Sequence, residues 1–183
     1  GERITFGVGE EAYVKAGRVT SRGSEGVRFT LRIGELEKDV RLPVVGGHNV
    51  RNALAAAAAS WVLGESMDSI CRGLESFEPL GGRMTVRRLK NEAFLVDDSY
   101  NANPVSVSEA LKTLRDLKGA HRGIAVLGDM LELGEEAENL HVEIGRIAAE
   151  TGVDTLILKG TYSRAVASGA MERGLPRERI LFM

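Results

Sequence analysis

Two asparagines lie three residues apart where a glycine-bounded segment leads into an alanine-rich run. They are Asn49 and Asn52, within residues 46–52 (GGHNVRN). In a helical turn this spacing places both carboxamides on one face. A carboxamide presents a donor beside an acceptor, which matches the edge of adenine. The alternative is that Asn49 caps the helix and Asn52 is simply solvated.

An arginine follows a Gly-Gly pair at the clearest boundary in the chain. Arg83 comes directly after residues 79–82 (PLGG), a cluster typical of a turn or linker. An arginine at a hinge can reach across a cleft and hold a phosphate through its planar guanidinium. The alternative is an ordinary linker arginine.

A polar segment, residues 97–104 (DDSYNANP), comes between a predicted strand and a predicted helix. In parallel α/β sheets, ligands bind outside the carboxyl ends of the strands, and a carboxylate there can accept hydrogen bonds from ribose hydroxyls. The alternative is a turn built from Asp, Ser and Asn. Asn103 also stands where an N-cap is expected, directly before Pro104.

A second polar loop, residues 128–134 (GDMLELG), again lies between a predicted strand and a predicted helix. It is bounded by glycines but is not G-x-G-x-x-G, so it does not predict a dinucleotide site. His141 lies one to two turns into the following helix and could face this loop. The alternative is an ordinary surface or packing histidine.

The first half of the chain predicts strands followed by helices. Residues 27–33 and 36–42 alternate between apolar and polar side chains, and Gly34-Glu35 between them suits a tight hairpin turn, although Lys38 stands where an apolar residue is expected. Two weaker strands are predicted at 4–8 and 12–14. The alanine-rich run predicts a helix over 49–63 that is buried all round and ends at Gly64. A second helix begins near Ser66 or Asp68.

The second half alternates strands with helices. The predicted strands are 94–97, 124–127, 153–158 and 180–182, and the predicted helices begin at Pro104 and cover 135–150 and 162–173. Such alternation with short connections predicts an α/β fold with a largely parallel sheet. The chain stops within the last strand, so we expect this domain to be incomplete.

Composition excludes several classes of protein. The net charge of −2 argues against a nucleic-acid-coating protein, and no apolar run approaches the roughly 20 residues of a membrane span. One cysteine excludes an internal disulfide framework, and the three histidines lack metal-ligand spacing. The motifs of phosphate loops, zinc proteases, CxxC redox sites and α/β-hydrolases are absent from the sequence. We therefore expect a cytoplasmic protein without membrane insertion, metal site or nucleic-acid partner.

Taken together, these motifs resemble those of the Mur ligases, the ATP-dependent amide-forming enzymes of peptidoglycan synthesis. The order matches: H-N-x-x-N opens an alanine-rich helix, G-R stands at a junction, and a strand ends in Asp-Asp. Residues 98–104 and 127–134, with His141, are similar to the member that joins D-alanyl-D-alanine to UDP-MurNAc-tripeptide. The resemblance implies that residues 1–80 end the central ATP-binding domain and that 81–183 form most of a Rossmann-like C-terminal domain. It places the phosphate loop and the Mg²⁺ ligands upstream of this sequence.

The resemblance also implies site residues and partners. The cofactors are ATP and Mg²⁺, the substrates are UDP-MurNAc-tripeptide and D-alanyl-D-alanine, and the protein is expected to be a monomer. Arg83 is the expected catalytic residue, at the γ-phosphate. The remaining implied roles are adenine binding by Asn49 and Asn52 beside His48, ribose binding by Asp98, and peptide or dipeptide binding by Tyr100, Asn101 and Asn103.

Two alternatives stay open at this point. Another ligase of the superfamily, such as folylpolyglutamate synthase, shares the general order of motifs, but residues 101–104 (NANP) and 128–130 (GDM) speak against it. A non-catalytic nucleotide-binding module is the other. Since the sequence contains no phosphate loop, we expect the isolated chain not to hydrolyse ATP.

Overall fold

The chain folds as two units, each with a hydrophobic core of its own. The computed structural model describes residues 3–183, and the division falls between Asp97 and Asp98. The domain boundary expected after residue 80 lies within the first unit, before its last two strands, and stays a prediction.

Alternating strands form a four-stranded sheet in the first unit. Its order is β1-β2-β3-β4, with β1 parallel to β2 and the other pairs antiparallel. Ile33 pairs with Leu36 across a two-residue loop, and Gly34 has a φ of +57°, as primed hairpin turns require. The predicted hairpin is therefore confirmed. The strands are β1 (Phe6–Gly7), β2 (Val14–Ser21), β3 (Val27–Ile33) and β4 (Leu36–Leu42).

Lys38 occupies a strand position where the alternation calls for an apolar side chain. Its Nζ lies 2.6 Å from Oδ1 of Asp68, on the helix that packs beside β4. Asp68 raises the pKa of Lys38, mainly through this hydrogen bond. The lysine therefore stays at the exposed end of β4, while Val40 and Leu42 enter the core.

Two helices follow the sheet, α1 (His48–Val62) and α2 (Met67–Glu75). The prediction that α1 is buried all round is wrong, because its buried residues are confined to one face, while Ala56 and Ala59 are exposed. Alanine favours a helix on an exposed face as well as on a buried one, so the composition could not show which face of α1 is buried. Ser66 caps α2 by accepting a hydrogen bond from the Ser69 amide, as predicted. The buried face of α1 consists of Val50, Ala53, Leu54, Ala57 and Ala58.

A two-stranded hairpin ends the first unit. β5 (Thr85–Arg88) pairs antiparallel with β6 (Phe94–Asp97), and the Leu89 amide donates to the Ala93 carbonyl in the connecting turn. The sequence patterns did not predict β5, and they placed residues 94–97 in the parallel sheet, which is wrong. Two neighbouring strands joined by a short turn pair antiparallel because a parallel partner needs a long crossover connection.

The second unit is a layered α/β arrangement with a parallel sheet of order β7-β8-β9. This agrees with the predicted fold class. Residues 134–136 form a 3₁₀ turn ahead of α4, whereas the sequence predicted one continuous helix from 135. The elements are α3 (Pro104–Lys118), β7 (Ile124–Leu127), α4 (Ala137–Glu150), β8 (Thr155–Leu158), α5 (Ser163–Glu172) and β9 (Ile180–Phe182).

Helices α4 and α5 pack closely because glycines face each other across the contact. A Cβ atom at Gly145 would overlap the carbonyl oxygen of Val166, and one at Gly169 would overlap that of Val142. Both obstacles are backbone atoms, which cannot move aside as a flexible side chain would. The spacing of the two helices is therefore set by residues without side chains.

Candidate functional site

The two asparagines at the start of α1 share a face, as their spacing predicts. Asn52 donates its Nδ2 hydrogen to Oδ1 of Asn49 over 3.1 Å, and Asn49 donates from Nδ2 to the Val45 carbonyl over 2.8 Å. Asn49 is half-buried and Asn52 is exposed. The Val45 carbonyl thus orients Asn49, and Asn49 in turn orients Asn52, leaving the exposed side of the second carboxamide available to a ligand.

Gly47 is the N-cap of α1, so the prediction that Asn49 might cap this helix is wrong. Among the described residues, no side chain caps the first turn. Asn49 instead lies inside the turn and directs its side chain backwards to residue 45. His48 is the first helical residue and is half-buried beside it.

Arg83 lies in the turn that precedes β5. Its backbone amide donates to the Leu80 carbonyl over 3.2 Å, and its side chain is exposed. Gly82 before it has a φ of +76°, a left-handed conformation that glycine adopts without strain. The turn therefore fixes the backbone of Arg83, and its side chain lies at the exposed surface of the first unit.

Asp98 is the first residue of the second unit and is half-buried. The strand before it, β6, pairs antiparallel with β5, so the carboxyl-end argument for parallel strands does not apply to this pairing. Tyr100 exposes 67% of its surface. Asn101 is exposed and uses Oδ1 to accept from the Ala102 amide over 2.9 Å. These side chains follow one another on an irregular segment that leads to α3.

Asn103 caps α3, which confirms the N-cap prediction. Its Oδ1 accepts from the Ser106 amide over 2.9 Å, and the Ser106 hydroxyl accepts from the Asn103 amide over 3.0 Å. The pair forms a reciprocal capping box, and Pro104 takes the first helical position. The cap uses the carboxamide oxygen of Asn103 and does not need its NH₂ group.

The 128–134 loop belongs to a network that the sequence patterns did not predict in full. Asp129 accepts hydrogen bonds from the backbone amides of Thr161 (2.7 Å) and Tyr162 (3.0 Å), just before α5. Burial acts to raise the pKa of Asp129, but the hydrogen bonds from these two amides are the main opposing influence, and the pKa lies below its usual range. A carboxylate of the chain itself thus occupies the anion-binding position at the start of this helix.

His141 faces this loop from α4 and is only 1% exposed. Its Nε2 lies 2.9 Å from the Met130 amide, and its Nδ1 lies 2.6 Å from the Ala137 carbonyl. Its ring stacks on Tyr162 with 4.5 Å between the ring centroids. The prediction that His141 could face the loop is confirmed. The sequence signal was its position one to two turns after Gly134, and the partner Tyr162 had no comparable signal.

Residues 3–183 contain neither a cluster of metal-ligating side chains nor a membrane-spanning helix. No group of three or more His, Cys, Asp or Glu side chains there is arranged to hold a metal ion. Within the same range, no helix has the length and apolar character needed to cross a membrane.

Comparison with known proteins defines the class. Residues 82–181 match the family model described as Mur ligase, glutamate ligase domain. This match covers more than half of the chain, so the chain belongs to the Mur ligase family, as its motifs indicate.

Two individual relatives share the name of one particular member of this family. The UDP-N-acetylmuramoyl-tripeptide–D-alanyl-D-alanine ligase of Escherichia coli K12 is 40% identical over 152 residues, which are 83% of this chain and 32% of that protein. The Bacillus subtilis 168 enzyme of the same name is 32% identical over 152 residues, 83% of this chain and 33% of its own.

Solved structures agree in fold. A crystal structure of MurF from Acinetobacter baumannii superposes with a TM-score of 0.85 at 32% identity, covering 98% of this chain and 37% of that one. The chain thus spans about a third of the length of the relatives that it matches.

Proposed function

We propose that this chain forms the nucleotide- and substrate-binding part of an ATP-dependent ligase that joins D-alanyl-D-alanine to UDP-MurNAc-tripeptide. The observation that carries the proposal is the 40% identity to the E. coli ligase of that name over 83% of the chain. The similarity in fold to MurF over 98% of the chain also supports it. A cytoplasmic location and a monomeric state belong to the same proposal.

The residue roles follow from chemistry that each side chain can perform. Asn52 offers an exposed carboxamide, already oriented by Asn49, to the edge of adenine. Asp98 accepts from the ribose hydroxyls, and Arg83 neutralises charge at the γ-phosphate. His48 supports the adenine side from the start of α1. Tyr100, Asn101 and Asn103 border the peptide or dipeptide, Asn103 through the NH₂ group that its cap leaves over.

The reaction has two steps. The carboxylate of the tripeptide takes the γ-phosphoryl group of ATP, giving an acyl phosphate and ADP. The amine of D-alanyl-D-alanine then attacks the acyl carbon, loses a proton, and expels inorganic phosphate as the amide forms. An arginine near the transferred group stabilises the charge that develops there, because a planar guanidinium can donate two parallel hydrogen bonds to phosphate oxygens.

Mg²⁺ accompanies ATP in the proposed reaction. Among residues 3–183, no three His, Cys, Asp or Glu side chains are placed to hold a metal ion, and none of the roles proposed above is that of a metal ligand.

The decisive experiment reads the coding sequence upstream of residue 1 and assays its full-length product. We expect a G-x-x-x-x-G-K-[ST] loop there, and phosphate release that needs both UDP-MurNAc-tripeptide and D-alanyl-D-alanine. Arg83→Ala should lower kcat by about 100-fold, on the scale of losing one donor to a developing charge. Arg87→Ala, an exposed arginine on the nearby β5, is the control and should stay near the parent rate.

Other results of these assays would contradict the proposal or one of its expectations. Activity with folate and glutamate instead would identify a folylpolyglutamate synthase. An upstream sequence without a phosphate loop would contradict the ligase proposal and favour a non-catalytic nucleotide-binding module. In the isolated chain, we expect no ATP-dependent phosphate release, and a measurable rate from a pure sample would contradict that expectation.

A further inference from the structure

The loop at residues 128–134 follows β7 at its carboxyl end and is fixed at its base. Asp129 is held by two backbone amides ahead of α5. Gly160, beside it, has a φ of +121°, and a Cβ there would overlap the Asp129 carboxylate. The loop base is therefore hydrogen-bonded to the segment between β8 and α5 and closely packed against it.

His141 fixes the next residue of the loop, and its two hydrogen bonds determine its tautomer. The Ala137 carbonyl can only accept, so Nδ1 must carry the proton. The Met130 amide can only donate, so Nε2 must be the unprotonated acceptor. A neutral imidazole protonated at Nδ1 meets both requirements. Stacking on Tyr162 restrains the ring plane as well.

The tip of the loop differs sharply from its base. Leu131 exposes 75% of its surface, and Glu132 is exposed with a φ of +61°, an uncommon conformation for a residue other than glycine. A non-glycine residue in this conformation carries a local energy cost, which the well-bonded base can maintain. The tip thus presents an apolar side chain beside a carboxylate at the carboxyl edge of a parallel sheet, where ligands of α/β folds bind.

We propose that His141 and Asp129 are positioning residues, which hold Leu131 and Glu132 in place to contact the amino end of the dipeptide substrate. The dipeptide part of this inference rests on the proposed function. The Glu132 carboxylate complements an ammonium or amine, and Leu131 complements a small methyl side chain. A tip already fixed before binding loses little conformational freedom when the substrate arrives.

The first experiment tests the positioning on the 183-residue chain, without reference to the reaction. His141→Gln can still offer an acceptor to the Met130 amide, since its amide reaches the position of Nε2. His141→Asn reaches only the position of Nδ1. We expect NMR to show the Nδ1–H tautomer in the parent chain. Hydrogen exchange at the Met130 amide should speed up at least tenfold in His141→Asn and less than threefold in His141→Gln.

The control for this experiment is a histidine outside the network. His121→Asn, an exposed histidine outside the network, should leave Met130 exchange unchanged. An Nε2–H tautomer, or equal acceleration in both His141 variants, would show that His141 only fills space and would overturn the positioning role.

The second experiment uses the full-length ligase. Glu132→Gln should raise KM for D-alanyl-D-alanine at least fivefold and leave KM for ATP within twofold. Glu135→Gln, an exposed acid in the 3₁₀ turn after the loop, should change neither. His141→Asn should raise the dipeptide KM, and His141→Gln should restore it. An unchanged dipeptide KM in Glu132→Gln would overturn the substrate contact. A full-length product without any ligase activity would refute the proposed function, and the exchange result would still decide the positioning.

Discussion

The asparagine pair of the first unit and the Asp129–His141 network of the second are both polar clusters beside a helix start, yet their hydrogen bonds are used differently. Asn52 is exposed and bonded on one side, to Asn49. In the second cluster, both polar atoms of the His141 ring and both oxygens of Asp129 meet backbone groups. The first cluster presents an exposed carboxamide at the surface, whereas the second is hydrogen-bonded to the protein backbone.

The difference between the two clusters shows that a polar motif in a sequence does not reveal the partners of its side chains. Residue types and spacing identify both clusters in the sequence, but they cannot separate a polar group that binds a ligand from one that binds the backbone. Burial and the direction of each hydrogen bond separate them, because a buried polar group must find its partners within the protein.

The largest expected effect comes from widening the helix contact that brings His141 to Tyr162. Gly145→Ala places a methyl group against the Val166 carbonyl. We expect a loss of about 3 kcal/mol in the free energy of unfolding of the second unit, at the upper end for overpacking. Urea unfolding followed by hydrogen exchange in α4 and α5 measures it. Gly73→Ala in α2 is the matched control, since a Cβ there would meet no atom within 4 Å beyond its own stretch of helix, and it should be neutral or stabilising.

Asp129→Asn should come next, at about 2 kcal/mol, because a neutral amide replaces a carboxylate that accepts two backbone hydrogen bonds. The folded pKa of Asp129 lies below its unfolded value of about 3.9. Its stabilisation is therefore complete above about pH 4 and is lost as the pH falls through the folded pKa. Urea unfolding from pH 7 to pH 3 should show a constant difference between parent and variant down to about pH 4, then a shrinking one. A difference that grows on acidification would contradict this.

In Asn103, the carboxamide oxygen caps a helix, whereas the NH₂ group is the one proposed to contact the substrate. Asn103→Ala should cost about 1 kcal/mol, since it removes the N-cap of α3. Asn103→Asp keeps the acceptor and should preserve stability, while it deletes the NH₂ group assigned to the substrate. Thermal unfolding together with the dipeptide KM of the full-length ligase distinguishes these effects. If Asn103→Asp leaves that KM unchanged, Asn103 serves the fold alone.

Asn52→Ala should have the smallest effect on stability, within about 0.5 kcal/mol, because the side chain is exposed. Affinity for ATP in the full-length ligase, measured by calorimetry, should fall about tenfold, the loss of roughly one hydrogen bond's net free energy. Arg51→Ala, on the neighbouring exposed position of α1, should leave the affinity unchanged. A stability loss as large as that of Asp129→Asn would remove the contrast between the two clusters.

Much of the fold could be predicted from local sequence. The strands Val27–Ile33, Leu36–Leu42, Ile124–Leu127 and Ile180–Phe182 lie where the patterns place them. The caps at Ser66 and Asn103 were also predictable. These features depend on neighbours in the chain, and the physics of alternation and capping acts over a few residues.

The sequence by itself determined the family, through the order of its motifs, and the pairing of Asn49 with Asn52, through helical spacing. Tertiary structure decided which face of the alanine helix is buried and which strand residues 94–97 pair with. It also decided which groups form hydrogen bonds with Asp129 and His141. The buried face of α1 and the amides that bind Asp129 involve residues distant in sequence, and residues 94–97 pair with a strand that the patterns did not predict. Such partners leave no local pattern, because their contacts form only when the chain has folded.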